Sequence, residues 1–572
     1  MKSNKTFLWG CLIFLVAFIA ACVLGFIFTF GSAVPKSAKI PTNAWLYLNP
    51  SAMISDYNEI EDVKFFSVTS FSVQEINSKI IAAAKDKRIK GLLIEPKMIM
   101  TNYPALGEMS LAIETFQKSG KPIVAFGENF SQADYLLASC ADKIYMEPSA
   151  SAGLALQGVS ANMMFYKEML DKLGIKMHIL QSGAYKGAGE PYSQMELSKG
   201  TKDNIDAALQ GIYNHLLTFV AKNRKLDPAE VKDIFENRDD FFLTANKAKD
   251  LKLIDYAMGR DEMLSNLGLS EDNFIKIGSY SPSSPKSKDS KIAVVYLNGN
   301  ITPSTNYEFS SQNYISSTKV KKICKQIRDD KDVKAVVLRI NSPGGSALES
   351  ELIYQQLIKL KKDYPLVISM GGTAASGGYY ISCAGDYIIA DPGTLTGSIG
   401  VIGLIPETVG LGKKIGVRSQ TIKYGKFAGA FNLFESYDSA LIESLKRNST
   451  GTYNEFQQRV MSCRNITPEQ IESVAEGRIF NAEDALENNL IDEIGTLDKA
   501  INKAASLAKV TTYSSTNYPK KASLMEVLKE SNLLNVKEQI QISNTPELQM
   551  EKYLKQISPT GEWLYLMPLK LD

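Results

Sequence analysis

Residues Val333-Lys334-Ala335-Val336-Val337-Leu338-Arg339-Ile340-Asn341-Ser342-Pro343-Gly344-Gly345-Ser346 decide the fold. The apolar run 335–340 has the length of one buried strand. It stops at Ser342-Pro343-Gly344-Gly345, a turn composition. Residues 346–362 then carry Leu348, Leu352, Ile353, Leu357 and Ile358 at helical spacing. Apolar runs at 292–297 and 366–370 flank this unit. Strand, helix and strand in that order predict parallel α/β units.

Working outward, the unit has a weaker copy. Ile89-Lys90-Gly91-Leu92-Leu93-Ile94 matches Val333-Lys334-Ala335-Val336-Val337-Leu338 at an offset of 244. The same offset pairs Tyr135 with Tyr379, Asp142 with Asp386, Pro148 with Pro392 and Gly153 with Gly397. Leu253-Ile254-Asp255 echoes Leu490-Ile491-Asp492 at a slightly smaller one. A chain of 572 residues is long enough for two or more domains. The expected organisation is a stub and anchor at 1–35, a first α/β repeat at 36–278, and a Ser/Pro/Lys-rich linker at 279–290. A second repeat follows at 291–510, then an extension at 511–572 with no assigned role. Within that extension, Trp563-Leu564-Tyr565-Leu566 has the pattern of a docking strand.

Residues 7–30 are uncharged and almost wholly apolar. As a helix they span about 36 Å, enough to cross a hydrocarbon core of ~30 Å. Lys2 and Lys5 precede the segment and put the N-terminus in the cytoplasm by the positive-inside rule, with Lys36 and Lys39 as a weaker opposing pair. A cleaved signal peptide has a shorter apolar region. A lipid attachment at Cys22 competes, although apolar sequence continues beyond it. The expectation is an uncleaved single-pass anchor in contact with membrane lipid.

The net charge of +2 gives no footprint for nucleic acid. Six cysteines without C-x-x-C spacing argue against a zinc site or a disulfide scaffold. Only two histidines, His178 and His215, are available to a histidine-based triad.

Three segments carry chemistry. In Asn341–Gly345 the paired glycines free backbone N–H groups to face a ligand, as an oxyanion hole requires; a plain strand-to-helix turn has the same look. In Gly371-Gly372-Thr373-Ala374-Ala375-Ser376-Gly377-Gly378-Tyr379-Tyr380, Ser376 stands between a strand and a helix-like run. It reads as a nucleophile with Gly377 N–H as a second donor, or as an N-cap. In Gly183-Ala184-Tyr185-Lys186-Gly187-Ala188-Gly189-Glu190-Pro191, Lys186 reads as a base if burial lowers its pKa, or as one more solvated lysine. The repeat sharpens this. Ser376 aligns with Gln132, and with Gly183 set on Gly425, Lys186 aligns with Ala428. Each half has kept one member of a pair, the pattern of a duplicated enzyme with one composite site.

Ser-Pro-Gly-Gly at 342–345, Ala-Ala-Ser-Gly-Gly-Tyr-Tyr at 374–380, Leu-Thr-Gly-Ser-Ile-Gly-Val at 395–401 and Tyr-Lys-x-x-x-Glu-Pro at 185–191 together resemble the signal peptide peptidase A (protease IV) family in its long, duplicated form. The likeness runs from the membrane segment to about residue 505. It implies tandem Clp-protease/crotonase-like α/β repeats behind one transmembrane helix. It also implies a homo-oligomer of bowl-like shape, a tetramer. The family cleaves remnant signal peptides at the bacterial inner membrane, with the catalytic repeats on the periplasmic side. By resemblance Ser376 is the nucleophile, Lys186 the base, and Gly377 with Gly344 or Gly345 the oxyanion donors. No metal or cofactor is required. Gly187-Ala188-Gly189 departs from the pattern and bears on the stiffness of that loop. Three other readings compete: a Clp-like Ser–His protease using His178, crotonase-type acyl-CoA chemistry, and a non-catalytic membrane scaffold.

Overall fold

The computed structural model describes residues 40–59, 72–282, 290–304, 314–521 and 564–566. The apolar segment 7–30, Cys22, linker residues 283–289 and most of 511–572 lie outside the described residues.

The deciding strand runs Val333–Ser342, and the helix after it Ala347–Lys361. Lys291–Asn298 and Leu366–Ala375 flank the strand, both parallel to it. Alternate residues serve opposite faces. Ala335 and Val337 pack with Ala500 and Ala504 of the helix Leu497–Leu507. Val336, Leu338 and Ile340 face Ile323, Ile353 and Leu357 on helices of the other layer. Both faces are covered, so residues 335–340 read as a near-continuous apolar run, broken only by Arg339.

The second half builds an eight-stranded sheet. Its main path is Ile479–Phe480, Leu395–Gly397, Leu366–Ala375, Val333–Ser342, Lys291–Asn298 and Ser514–Tyr518. Tyr387–Ala390 and Glu493–Ile494 branch from Leu366–Ala375. This sheet reaches past the expected boundary at residue 510, because Ser514–Tyr518 pairs in parallel with Lys291–Asn298. The first half builds a six-stranded parallel sheet in the order Tyr256–Ala257, Lys143–Met146, Ile123–Gly127, Ile89–Ile94, Ala44–Leu48 and Phe274–Lys276.

The duplication extends to single hydrogen bonds. Tyr135 Oη donates to Leu253 O and Tyr379 Oη to Leu490 O, each at 2.8 Å. Asp142 accepts from Ile123 N and Asp386 from Leu366 N. Asp255 accepts from Ile144 N and from Arg224; Asp492 accepts from Ile388 N and from Arg464. Each carboxylate ties a strand start to the same place in its own repeat.

A third sheet joins the halves. Its order is Tyr314–Ile315, Asn300–Ile301, Gly344–Ser346, Leu564–Leu566, Val401–Glu407 and Lys176–Ser182. Only Lys176–Ser182 comes from the first half. It lies antiparallel on Val401–Glu407, in register from Ser182↔Val401 to Lys176↔Glu407. This ladder delivers the segment after Ser182, with its lysine, to the second half.

Candidate active site

Ser376 follows the strand Leu366–Ala375, which continues beyond the apolar run ending at Met370 because Thr373–Ala375 pairs with Leu395–Gly397. The helix Gly377–Ser382 starts directly after it. Ser376 has φ 56° and ψ −116°, a conformation costly for a side chain with a Cβ, and such strain concentrates at functional sites. Two backbone bonds hold it there: Ser376 N to Gly397 O and Tyr380 N to Ser376 O, each 2.8 Å. Its side chain makes no capping bond, so the N-cap reading does not describe it.

Lys186 reaches Ser376 across the two halves. Nζ lies 2.7 Å from Ser376 Oγ, 2.7 Å from Ser398 O and 2.9 Å from Ser398 Oγ. Lys186 and Ser376 are both 0% exposed. The lysine loop is anchored on the second half: Tyr185 N donates to Glu476 O, and Ala184 N to the Glu476 carboxylate, both at 2.7 Å. Gly477, at φ +83°, permits this approach, since a Cβ there would lie 2.6 Å from Lys186 N. Behind the loop, the motif residue Glu190 accepts from Ser198 Oγ and Thr201 Oγ1, so its part is to fix the start of the helix Lys199–Arg224. The glycine-rich turn after the lysine is thereby held from both sides.

Burial holds the Lys186 amine well below the ordinary lysine range. Three oxygens surround Nζ, those of the Ser376 hydroxyl, the Ser398 carbonyl and the Ser398 hydroxyl, and no carboxylate is among them. Ser398 itself, at φ 53°, stands in the Leu-Thr-Gly-Ser-Ile-Gly-Val motif. The motif was visible in the sequence, but nothing there showed that its serine would hold the lysine.

The glycines lie close by. A Cβ on Gly377 would come within 3.2 Å of Gly344 Cα. Gly344 has φ 106° and Gly345 φ 150°. A Cβ on Gly345 would overlap Ile301 O at 1.9 Å, so only glycine fits. Gly344 N–H donates to Ser342 Oγ at 3.2 Å.

His178 is occupied elsewhere. Its Nε2 lies 2.9 Å from Glu407 Oε2, at the end of the ladder remote from Ser182. At the first half's counterpart of the serine position, Gln132 hydrogen-bonds Tyr103 Oη, Gly158 O and the Gln157 and Gly158 N–H groups, a filled structural site. Among the described residues no cluster of His, Cys, Asp and Glu could hold a metal ion.

A family model described as peptidase family S49 matches residues 115–272 and again 358–511, and a Clp protease model matches 309–390. Protease 4 of Haemophilus influenzae is 33% identical over 541 residues, covering 88% of this chain and 86% of that protein. Protease 4 of Salmonella typhi is 32% identical, covering 80% and 76%. The chloroplastic serine protease SPPA of Arabidopsis thaliana is 27% identical, covering 82% and 69%. Two tandem S49 matches over a duplicated α/β fold, with such relatives along most of its length, mean that the chain belongs to peptidase family S49 and is a serine protease.

Proposed function

We propose that the protease works through a Ser–Lys dyad, with Ser376 as nucleophile and Lys186 as general base. The observation that carries this reading is the 2.7 Å contact between Lys186 Nζ and Ser376 Oγ in a fully buried site. Neutral Lys186 takes the Ser376 proton as Oγ attacks the scissile carbonyl. Gly377 N–H and the N–H of Gly344 or Gly345 stabilise the resulting oxyanion. Lys186 returns the proton to the leaving amine, and an acyl-enzyme remains. Water, deprotonated by Lys186, then attacks the ester and releases the acid. The residues that do this need neither metal nor cofactor.

The direction of the lysine shift sets the pH dependence. The base form is the neutral amine, so acylation declines as pH falls through the lowered pKa of Lys186. The expected rate of Ser376 labelling by an activated-serine reagent therefore rises with pH through one ionisation and levels off well below 10.5, the ordinary lysine value. A rising limb found only at the ordinary value, or labelling equally fast in Ser376→Ala, would remove the dyad from the mechanism.

The proposed substrates are extended, largely apolar peptides such as remnant signal peptides, bound by strand addition beside Gly344–Ser346. The proposed setting is the bacterial inner membrane. Residues 7–30 form a single-pass anchor, the N-terminus is cytoplasmic, and both repeats lie on the periplasmic side. Among the described residues no helix is long and apolar enough to cross a membrane.

A homo-oligomer, read as a tetramer, is part of the same proposal. The internal ladder uses 176–182 of the first half; its counterpart in the second half is 418–424. That stretch has no strand partner among the described residues, and Ile422 is 88% and Tyr424 94% exposed. A second copy offers the matching edge. Light scattering is expected to give a multiple of 63.0 kDa for the wild type, reduced by Ile422→Asp/Tyr424→Asp. A wild-type monomer at working concentration would rule the assembly out.

A further inference from the structure

The third sheet contains a strand from far along the chain. Leu564–Leu566 lies between Gly344–Ser346 and Val401–Glu407, antiparallel to both. Gly344 faces Leu566, Gly345 faces Tyr565, and Ser346 faces Leu564. On the other side, Leu564 faces Ile402.

The two flanking strands belong to the site. Gly344–Ser346 holds the glycines next to Gly377. Val401–Glu407 follows Ser398, the residue that holds Lys186, and its outer edge carries the ladder that brings Lys186 in. Neighbouring strands stand ~4.8 Å apart, so two strands separated by one position leave a slot the width of a single extended chain. Each wall of the slot presents N–H and C=O groups that need partners. The strand runs so that its last residue, Leu566, faces Gly344, and it packs beside the helix Gly377–Ser382 that starts next to the nucleophile. A peptide lying this way approaches Ser376 from its acyl side.

We infer that the C-terminal segment about Leu564–Leu566 is a built-in occupant of the peptide slot and competes with substrate inside its own chain. This rests on the Ser376–Lys186 reading only for the consequence, lower activity. The occupancy itself is a matter of backbone pairing. Leu564 is 43 positions beyond Lys521, the last residue described before it. That length reaches up to ~140 Å when extended. A tethered segment acts at an effective concentration of the order of millimolar, enough to rival peptides that bind weakly. Its composition fits such an occupant, since Trp563-Leu564-Tyr565-Leu566-Met567 is an apolar run of the kind proposed as substrate.

The test uses full-length protein carrying Leu564→Pro/Leu566→Pro, which removes two N–H donors from the strand and leaves the repeats untouched. Amide hydrogen exchange at Gly344–Ser346 is expected to quicken, and to do so equally in a Ser376→Ala background. For an apolar fluorogenic peptide, KM is expected to fall about fivefold, within the range a tethered competitor allows, and the gain is confined to KM. A synthetic peptide of residues 560–572, added to the proline variant, should inhibit competitively. Exchange and KM equal to the wild type would overturn the inference. So would a wild-type KM that falls on dilution, since the competitor would then come from another copy. Hydrolysis that survives in Ser376→Ala would instead strike the dyad, while the exchange result would still decide the tail.

Discussion

Lys186→Met is expected to lower kcat/KM by ~10³-fold or more, within the range that a positioned general base supplies, and to leave the fold as stable as before or more so. Both halves of that expectation come from one arrangement. The amine is wholly buried, and its hydrogen-bond partners are two serines rather than a carboxylate. Burying an ionisable group without a counter-charge costs stability. Methionine fills similar volume without that cost. A lysine kept for structure behaves in the opposite way, since its loss leaves a partner unsatisfied. Lys186→Arg should also be inactive, because a guanidinium stays protonated and cannot accept the serine proton. The measurements are steady-state kinetics on an apolar peptide and a urea titration on the same samples. Activity within tenfold of wild type would end the role of Lys186 as base. A destabilised but active variant would make it a structural lysine.

Different parts of this site were legible in the sequence to different degrees, for physical reasons. Ser376 and the glycines at 344 and 345 stood out because small residues interrupt apolar runs there, although a plain strand-to-helix turn or an N-cap has the same composition. The strand leading to Ser376 is longer than its apolar run. Thr373 to Ala375 stay extended through backbone pairing with Leu395–Gly397, and small side chains leave no periodicity to read. Lys186 was not legible by its own surroundings. It emerged from the repeat, where each half lacks what the other has, and from family likeness. Ser398 contributes a carbonyl and a hydroxyl to a residue 212 positions away, a separation that no local pattern encodes. The same holds for Tyr565 opposite Gly345. The sequence supplied the strand pattern, but the slot that receives it exists only once three distant segments are assembled.

Arg339 shows that limit most clearly and carries the second large effect. In sequence it is one charge within the run of Val336-Val337-Leu338 and Ile340. In the fold it is 2% exposed and binds three carboxylates. Nε lies 3.2 Å from Asp56 Oδ2, Nη2 3.3 Å from Glu108 Oε1 and Nη1 2.5 Å from Asp391 Oδ2. Nη1 also donates to Ser369 Oγ on the strand that leads to Ser376. Asp56 and Glu108 come from the half that carries Lys186, so the cluster ties that half to the strands that lead to Ser342 and Ser376. Removing one partner of a buried ion pair costs about 3–5 kcal/mol, because the remaining charges stay in a dry place. Arg339→Met is expected to lose that much in urea unfolding, and to lose activity at lower urea than it loses helix signal as the halves separate. The pH dependence has a definite sign. Burial already pushes the Asp391 and Glu108 carboxyls above their ordinary range, against the pull of Arg339. Without the arginine they rise further, so the folded variant binds more protons than the unfolded chain. Its stability therefore increases as pH falls from 7 towards ~4, where unfolded carboxyls titrate, and the deficit against wild type narrows over that interval. A deficit below about 0.5 kcal/mol, the scale of an ordinary surface substitution, or one that widens on acidification, would mean that the three carboxylates do not depend on Arg339 and that the halves are joined by the Lys176–Ser182 ladder instead.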